Sequence, residues 1–405
     1  MSGVKGKVSF QYIIVLGGSV IALGCGFIVS ISATHIMDPL EFGFYKAFIV
    51  ALQMFATLSH LGLHYTFGRQ FALVSTNSEK KNLNSAGLII FFIISLLVFI
   101  GVYSIATIND ILFSNEFPEY ILLASIFVFV LLFQYFSQQR LQGENKMMKY
   151  TLLTVIPQVL MAVFFIIMLL LENSIEAYLT IFVYIIFNSI TLFFMFDYGM
   201  KIRIFDNIKI ILSENKSYGL QLYIGSLLSV TAAQLLSLLI AGTSGLENYA
   251  LYSLGLSFAA PMTFVASTLG TVQFKKNVDA RMIEKKEIFI TLSISLLANL
   301  FYFILLNYFV INLIGYEYVK AISYTNILLV YYTMMGLGDY FNKFVSAKGN
   351  GTRLRNAAIV SGLVLITSAA ILIPLFNIEG LIGAQILGAS VYLIGMIIAY
   401  KKTIN

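Results

Sequence analysis

Tryptophan is absent from these 405 residues, cysteine occurs once, histidine three times and proline five times, and only 11% of the side chains are charged. Each shortage excludes something. The lone Cys25 lies in an apolar run, so no intrachain disulfide is available and the thiol reads as a small buried apolar group. Charge is less than half the roughly 25% of a soluble domain, and 59% of residues are hydrophobic against a usual value of about 45–50%. With a mean hydropathy of +0.89, a soluble globular fold is excluded. Any aromatic belt at a membrane interface must come from the 24 tyrosines. No Walker-type glycine loop, HExxH, GxSxG or CxxC occurs. ATP hydrolysis is therefore not expected, nor is a metal or another cofactor.

What is present is a succession of apolar runs. They predict spans at 10–34, 42–66, 84–107, 119–139, 150–171, 175–196, 218–243, 248–272, 287–309, 319–341, 355–376 and 379–400. The expected fold is an all-α polytopic membrane protein with about twelve transmembrane helices. The first run is about twice the length of a signal-peptide core and leads straight into a second, so it is expected to be retained. Glycines within it, such as Gly17-Gly18 and Gly24-Cys25-Gly26, predict close helix contact.

The net charge of +6 would suggest nucleic acid in a soluble chain, but its distribution excludes that reading. With the N-terminus inside, the cytoplasmic side collects Lys5 and Lys7; Arg69, Lys80 and Lys81; and Arg140, Lys146 and Lys149. It also collects Lys201, Arg203, Lys209 and Lys216; Lys275, Lys276, Arg281, Lys285 and Lys286; Lys343, Lys348, Arg353 and Arg355; and Lys401 and Lys402. Only Lys46 and Lys320 fall outside. Basic residues in short loops set topology, so both termini are expected in the cytoplasm. The opposite connectors are short and acidic, with Asp38, Glu41, Asp110, Glu116, Glu119, Glu172, Glu176, Glu247, Glu317 and Glu379.

An offset of 206 residues superposes Leu40-Glu41 on Leu246-Glu247, Arg69 on Lys275, Gly143 on Gly349 and Lys149 on Arg355. Six spans separate the halves, which makes this a parallel repeat: two six-helix lobes around a central cavity. The lobes are assigned to 1–196 and 218–405, joined by a cytoplasmic linker at 197–217. There Ile204, Phe205, Ile208, Ile211 and Leu212 recur at helical spacing among charged residues. That pattern fits either an amphipathic helix on the inner membrane surface or a plain linker covering the gap between lobes.

Polar residues inside spans are the functional leads, because they are costly in lipid and face a bundle interior or a wet cavity. Lys46, Gln53, Thr57, His60 and His64 are spaced 7, 4, 3 and 4 apart. On one continuous helix all five fall within about 60° of arc. Two readings stand: a cavity wall offering cations and donors to an anionic, hydroxyl-rich solute, or a snorkelling Lys46 above histidines that act as core donors. Gln134, Gln138, Gln234, Ser237, Asn299, Asn307 and Asn326 are expected to make interhelical hydrogen bonds. Asp339 and Lys343, one turn apart, are expected to form a local ion pair.

Pro39-Leu-Glu-Phe-Gly-Phe-Tyr45, Leu61-Gly-Leu63, Tyr218-Gly-Leu220 and Leu239-Ile-Ala-Gly242 running into Leu246-Glu-Asn-Tyr-Ala-Leu-Tyr252 complete the pattern. Over nearly its whole length the chain resembles the Wzx-type O-antigen and capsule repeat-unit flippases of the multidrug/oligosaccharidyl-lipid/polysaccharide superfamily. The resemblance implies alternating access in a bacterial inner membrane. It also implies a cargo of undecaprenyl-diphosphate-linked oligosaccharide, and a polymerase and chain-length regulator as partners. Many members carry an acidic residue where this chain has Ser237, so ion coupling there is not carried over. Candidate cavity residues are Lys46, Gln53, Thr57, His60, His64 and Gln234, with Arg69 as an entry-side phosphate attractor or a topology determinant. A small-molecule efflux transporter is the nearest rival. A glycan polymerase would need a sizeable outer loop, and a structural protein would have no use for a polar stripe.

The charge distribution makes a direct prediction. Reporter fusions within residues 140–149 and 275–286 should give cytoplasmic signals, and a periplasmic signal from either would break the twelve-span assignment.

Overall fold

A computed structural model describes residues 2–113, 117–190, 193, 205–217 and 219–404. Glu116, the end of the sixth expected span, the first part of the linker and Tyr218 lie outside the described residues. The described residues are helical almost throughout, because within lipid each backbone N–H and C=O needs an internal partner and a helix supplies it locally. Contacts divide the chain into two units, one of 1–37 and 44–224, the other of 38–43 and 225–405.

The first unit contains α1 (Ser2–Ile36), most of α2 (Pro39–Ser59), α3 (Leu63–Leu73), α4 (Asn77–Phe113), α5 (Glu119–Gly143), α6 (Met147–Leu170), α7 (Ala177–Ser189), α8 (Phe205–Ser217) and most of α9 (Gly219–Ser226). α1 packs along α6, and α5 packs against α3 and α4. Of the span-1 glycines singled out from sequence, Gly18 does bring helices together, lying hard against Thr151 and Val155 of α6, whereas Gly17, Gly24 and Gly26 face open space. Phe67, Phe71, Phe91 and Phe136 interlock the α3, α4 and α5 faces, with ring centroids 5.0–6.1 Å apart.

The second unit contains the remainder of α9, a π-helical turn at Leu227–Thr231, then α10 (Ala232–Ser244), α11 (Leu246–Ala259), α12 (Pro261–Asp279), α13 (Lys285–Tyr308), α14 (Lys320–Ala347) and α15 (Gly351–Ile404). α14 is its centre, packed on α11, α12 and α15. α15 comprises two helical arms that meet at Asn377, whose φ of 50° and ψ of −122° are not helical. Gly380 lies against Leu372, Gly388 against Leu365 and Gly395 against Ala357, so the two arms run antiparallel. This agrees with the paired spans read at 355–376 and 379–400. At the C-terminal end of α12, the Lys276 ammonium donates to Glu284 Oε1 at 2.8 Å and Glu287 Oε1 at 2.7 Å. Those bonds hold the Glu284 carboxyl below its usual range and push Lys276 up.

The exterior is apolar: Phe92, Leu97 and Tyr103 of α4 and Phe289, Leu297 and Phe301 of α13 stand exposed. In water such surface would aggregate, but against lipid chains it is matched. Eight stretches among the described residues are long and apolar enough to cross a membrane, against the twelve expected. The shortfall has physical causes. α15 counts once although it turns back at Asn377. Ala177–Ser189 and Ala232–Ser244 are apolar but shorter. α14 carries several tyrosines with the half-buried Asn326, Asp339 and Lys343, so it falls short in apolarity while being 28 residues long.

Gly336 tests this packing, since a Cβ there would sit 2.6 Å from the Thr263 carbonyl of α12, a backbone atom that cannot rotate away. Gly336→Ala is expected to destabilise the protein by about 1–3 kcal/mol. Gly17→Ala, in open space, should leave thermal unfolding in detergent unchanged.

Candidate functional site

The five-residue stripe presumes an unbroken span 42–66, and the structure corrects that. α2 ends at Ser59 and α3 starts at Leu63. Between them Leu61 (φ 47°) and Gly62 (φ 77°) adopt the left-handed region. Glycine does so freely; leucine in that region is strained by roughly 1–3 kcal/mol and needs surrounding contacts to hold it. Helical periodicity therefore does not carry from Thr57 to His64 in this conformation.

The break is held by α8 and α9. Two carbonyls it removes from the helical ladder are recovered from there, Leu58 O by the Tyr223 hydroxyl at 2.7 Å and Leu61 O by Asn215 Nδ2 at 3.0 Å. Asn215 Oδ1 accepts from the Thr66 hydroxyl at 2.8 Å. Gly62 and Gly219 touch backbone to backbone, so a side chain on either would collide. Arg69 lies 3.4 Å from Glu214.

Within this frame His60 and His64 come together, ring centroids 3.9 Å apart, both buried. Tyr65 stacks on His64 at 3.9 Å, and Tyr223 meets His60 edge-on at 5.2 Å. His60 Nδ1 accepts the Gly62 N–H at 3.0 Å, which fixes its neutral tautomer with the proton on Nε2. His64 Nδ1 is buried and makes no hydrogen bond. Among the described residues no group of three or more His, Cys, Asp or Glu is placed to hold a metal.

The other expected residues are dispersed. Lys46 and Gln53 are half-buried on α2, with Lys46 about 21 Å along the chain from His60 at 1.5 Å per residue. The Thr57 hydroxyl is bonded to the Gln53 carbonyl of its own helix at 2.8 Å. Arg69 is exposed and shares its charge with Glu214, which weakens its claim as a phosphate attractor. Gln234 belongs to the second unit, on the first turn of α10 after the π-helical turn, and its Oε1 is buried without a hydrogen bond.

Three further expectations meet the structure differently. Asn299 bonds Thr333 at 2.7 Å, Asn307 and Asn326 bond each other at 3.0 Å, and Ser237 meets the Tyr249 hydroxyl at 3.2 Å, so these do link helices. Asp339 instead accepts from the Tyr392 hydroxyl at 2.8 Å and makes no ion pair with Lys343 within 4 Å. Burial among aromatic neighbours favours a hydroxyl donor over an extended lysine. In the described part of the linker, Ile211 and Asn215 are buried, and α8 packs on α3 and α4, while Leu212, expected on the apolar face, is 51% exposed.

Sequence reasoning misses Arg140, placing it in an inner loop. α5 runs on to Gly143, and Arg140 is fully buried, with Nη1 2.6 Å from Asn84 Oδ1 on α4. Asn215 is also missed, although it sits one turn beyond Ile211 at close to the spacing that links Ile208 to Ile211.

These long apolar helices and their exposed apolar faces define a multi-pass membrane protein. The chain belongs to the polysaccharide biosynthesis protein family, whose model matches residues 11–274. Its fold is similar to that of the lipid II flippase MurJ in an inward closed conformation (TM-score 0.75, 14% identity, 97% of this chain and 89% of that one). It is also similar to an inward-facing multidrug resistance MATE family transporter of the MOP superfamily (TM-score 0.67, 15% identity, 94% of each chain). A MOP superfamily transporter from Pyrococcus furiosus shares the fold at a TM-score of 0.55 and 14% identity, over 98% of this chain and 93% of that one. No curated protein matches by sequence. The chain is thus a member of a polysaccharide biosynthesis family whose fold is shared with MATE and MurJ transporters.

The bonds at the break make a prediction. Thr66→Val and Asn215→Ala should each destabilise by about 1 kcal/mol. Because they remove the same bond, the double variant should lose less than the sum; additive losses in thermal unfolding would show that the bond contributes nothing.

Proposed function

We propose that this transporter moves lipid-linked oligosaccharide repeat units, carried on undecaprenyl diphosphate, from the cytoplasmic to the periplasmic leaflet of a bacterial inner membrane. The observation that carries the proposal is the family match over 11–274 on a fold shared with a lipid II flippase. A diphosphate-linked glycan on a polyprenyl tail needs a polar path for its head group while the tail stays in lipid. Twelve spans in two lobes, 1–196 and 218–405, joined by the linker at 197–217 and with both termini cytoplasmic, would provide that path by alternating access. An O-antigen or capsule precursor is the cargo class, and a polymerase and chain-length regulator of the same pathway are the proposed partners. Small-molecule efflux draws only on the MATE-like fold, whereas the family match favours the glycan precursor.

Lys46, Gln53, Thr57, His60, His64 and Gln234 are the proposed head-group contacts, with Arg69 at the entrance. The energetic argument is strongest for Lys46, since a lysine facing lipid costs roughly 2.5–3.5 kcal/mol even on lenient insertion scales. Water or an anionic head group removes that cost. Lys46→Ala should lower surface glycan about tenfold at unchanged membrane abundance, the loss of one charge-assisted contact of roughly 1.5 kcal/mol. Lys46→Arg should retain more activity because it keeps the charge. Full glycan display by the Lys46→Ala, His60→Ala, His64→Ala triple variant would refute the site.

A further inference from the structure

The polar stripe and the helix break contradict each other only if α2 and α3 have a single arrangement. We infer that they exchange between the broken form and one continuous helix across residues 44–66, with α8–α9 acting as the strap that holds the broken form.

The hydrogen bonds balance. In a continuous helix the Gly62 N–H bonds the Leu58 carbonyl and the Tyr65 N–H bonds the Leu61 carbonyl. In the broken form all four groups are occupied by substitutes. Gly62 N–H goes to His60 Nδ1 at 3.0 Å and Leu58 O to Tyr223 at 2.7 Å. Tyr65 N–H goes to Gly62 O at 3.1 Å and Leu61 O to Asn215 at 3.0 Å. Each carbonyl that the strap releases regains its partner one turn along α2–α3, so the exchange strands none of these four backbone groups in the membrane. Nothing between Leu58 and Tyr65 forbids the helix: there is no proline, and Leu61, left-handed in the broken form, is a good helix former.

The two forms present different surfaces. When the helix breaks, His60 and His64 meet edge to face and are buried beside Tyr65 and Tyr223. When it is continuous, Lys46, Gln53, Thr57, His60 and His64 share one arc of about 60°. The strap therefore decides whether the polar face is complete. The exchange itself is independent of the cargo; only what the completed face binds rests on the function proposed above.

Spin labels at Val50→Cys and Leu73→Cys, in a Cys25→Ala background in lipid nanodiscs, test it by pulsed electron-electron distance measurement. A continuous helix sets the labelled sites about 35 Å apart at 1.5 Å per residue, and a break shortens this. Asn215→Ala with Tyr223→Phe, which cuts the strap, should raise the long-distance population at least threefold. Gly62→Ala should do the same, because alanine resists φ 77° and collides with Gly219. Leu63→Pro fits the φ of the first turn of α3 and costs the broken form only the Leu63 N–H bond to the His60 carbonyl, whereas inside a continuous helix its ring also clashes with the preceding turn, so it should leave only the short distance. One identical distance distribution in the parent and all variants, or a long distance that persists in Leu63→Pro, would overturn the inference. No cargo enters this readout, so its failure is distinct from failure of the Lys46 variants in glycan display.

Discussion

A backbone carbonyl that leaves its helical ladder inside a bilayer finds no water, so the protein itself must provide the replacement donor. This constraint explains why the irregular points of the chain are also its most connected. At 60–62 the donors come from Asn215 and Tyr223, more than 150 residues away in sequence. A segment that connects two halves of the chain is thus also part of the first unit's interior, and Gly62 and Gly219 are glycines because two backbones meet there. At Asn377 the solution differs: the chain turns back on itself, and glycines let the returning arm sit close to the outgoing one.

Helix identity was legible because hydropathy and the need for internal hydrogen bonding act locally. The turn near 377–379 could be placed from Asn377 and Glu379 standing between two apolar runs. The break at 60–62 could not. Its local sequence, Leu-Gly-Leu, is compatible with a helix, and what opens it is a set of distant side chains that no periodicity contains. Arg140 is misplaced for a related reason: the apolar run ends at 139 where polar residues begin, while the residue that accepts its hydrogen bond, Asn84, is 56 positions away.

The candidate site was legible as chemistry but not as an arrangement. Lys46, His60 and His64 are correctly unusual for a span, yet the structure joins only the two histidines and leaves Lys46 farther along α2. Spacing gives an arc only when the backbone is continuous, so a stripe is a statement about one conformation. Arg69 shows the limit of counting charge alone, since its pairing with Glu214 is not visible from spacing.

The polar interior of α14 has a consequence for how the protein is made. Asn326, a run of tyrosines, and Asp339 and Lys343 toward its C-terminal end leave this helix less apolar than its neighbours, and polar groups are costly to insert without partners. Its neighbours α13 and α15 are strongly apolar. The ribosome delivers α14 between them, and the helix gains its satisfying contacts, Tyr392 for Asp339 among them, only once α15 has followed. The order of synthesis therefore brings α14 into being before its partner at residue 392 exists, so packing of the second unit around its most central helix is expected to be completed only after α15 has emerged.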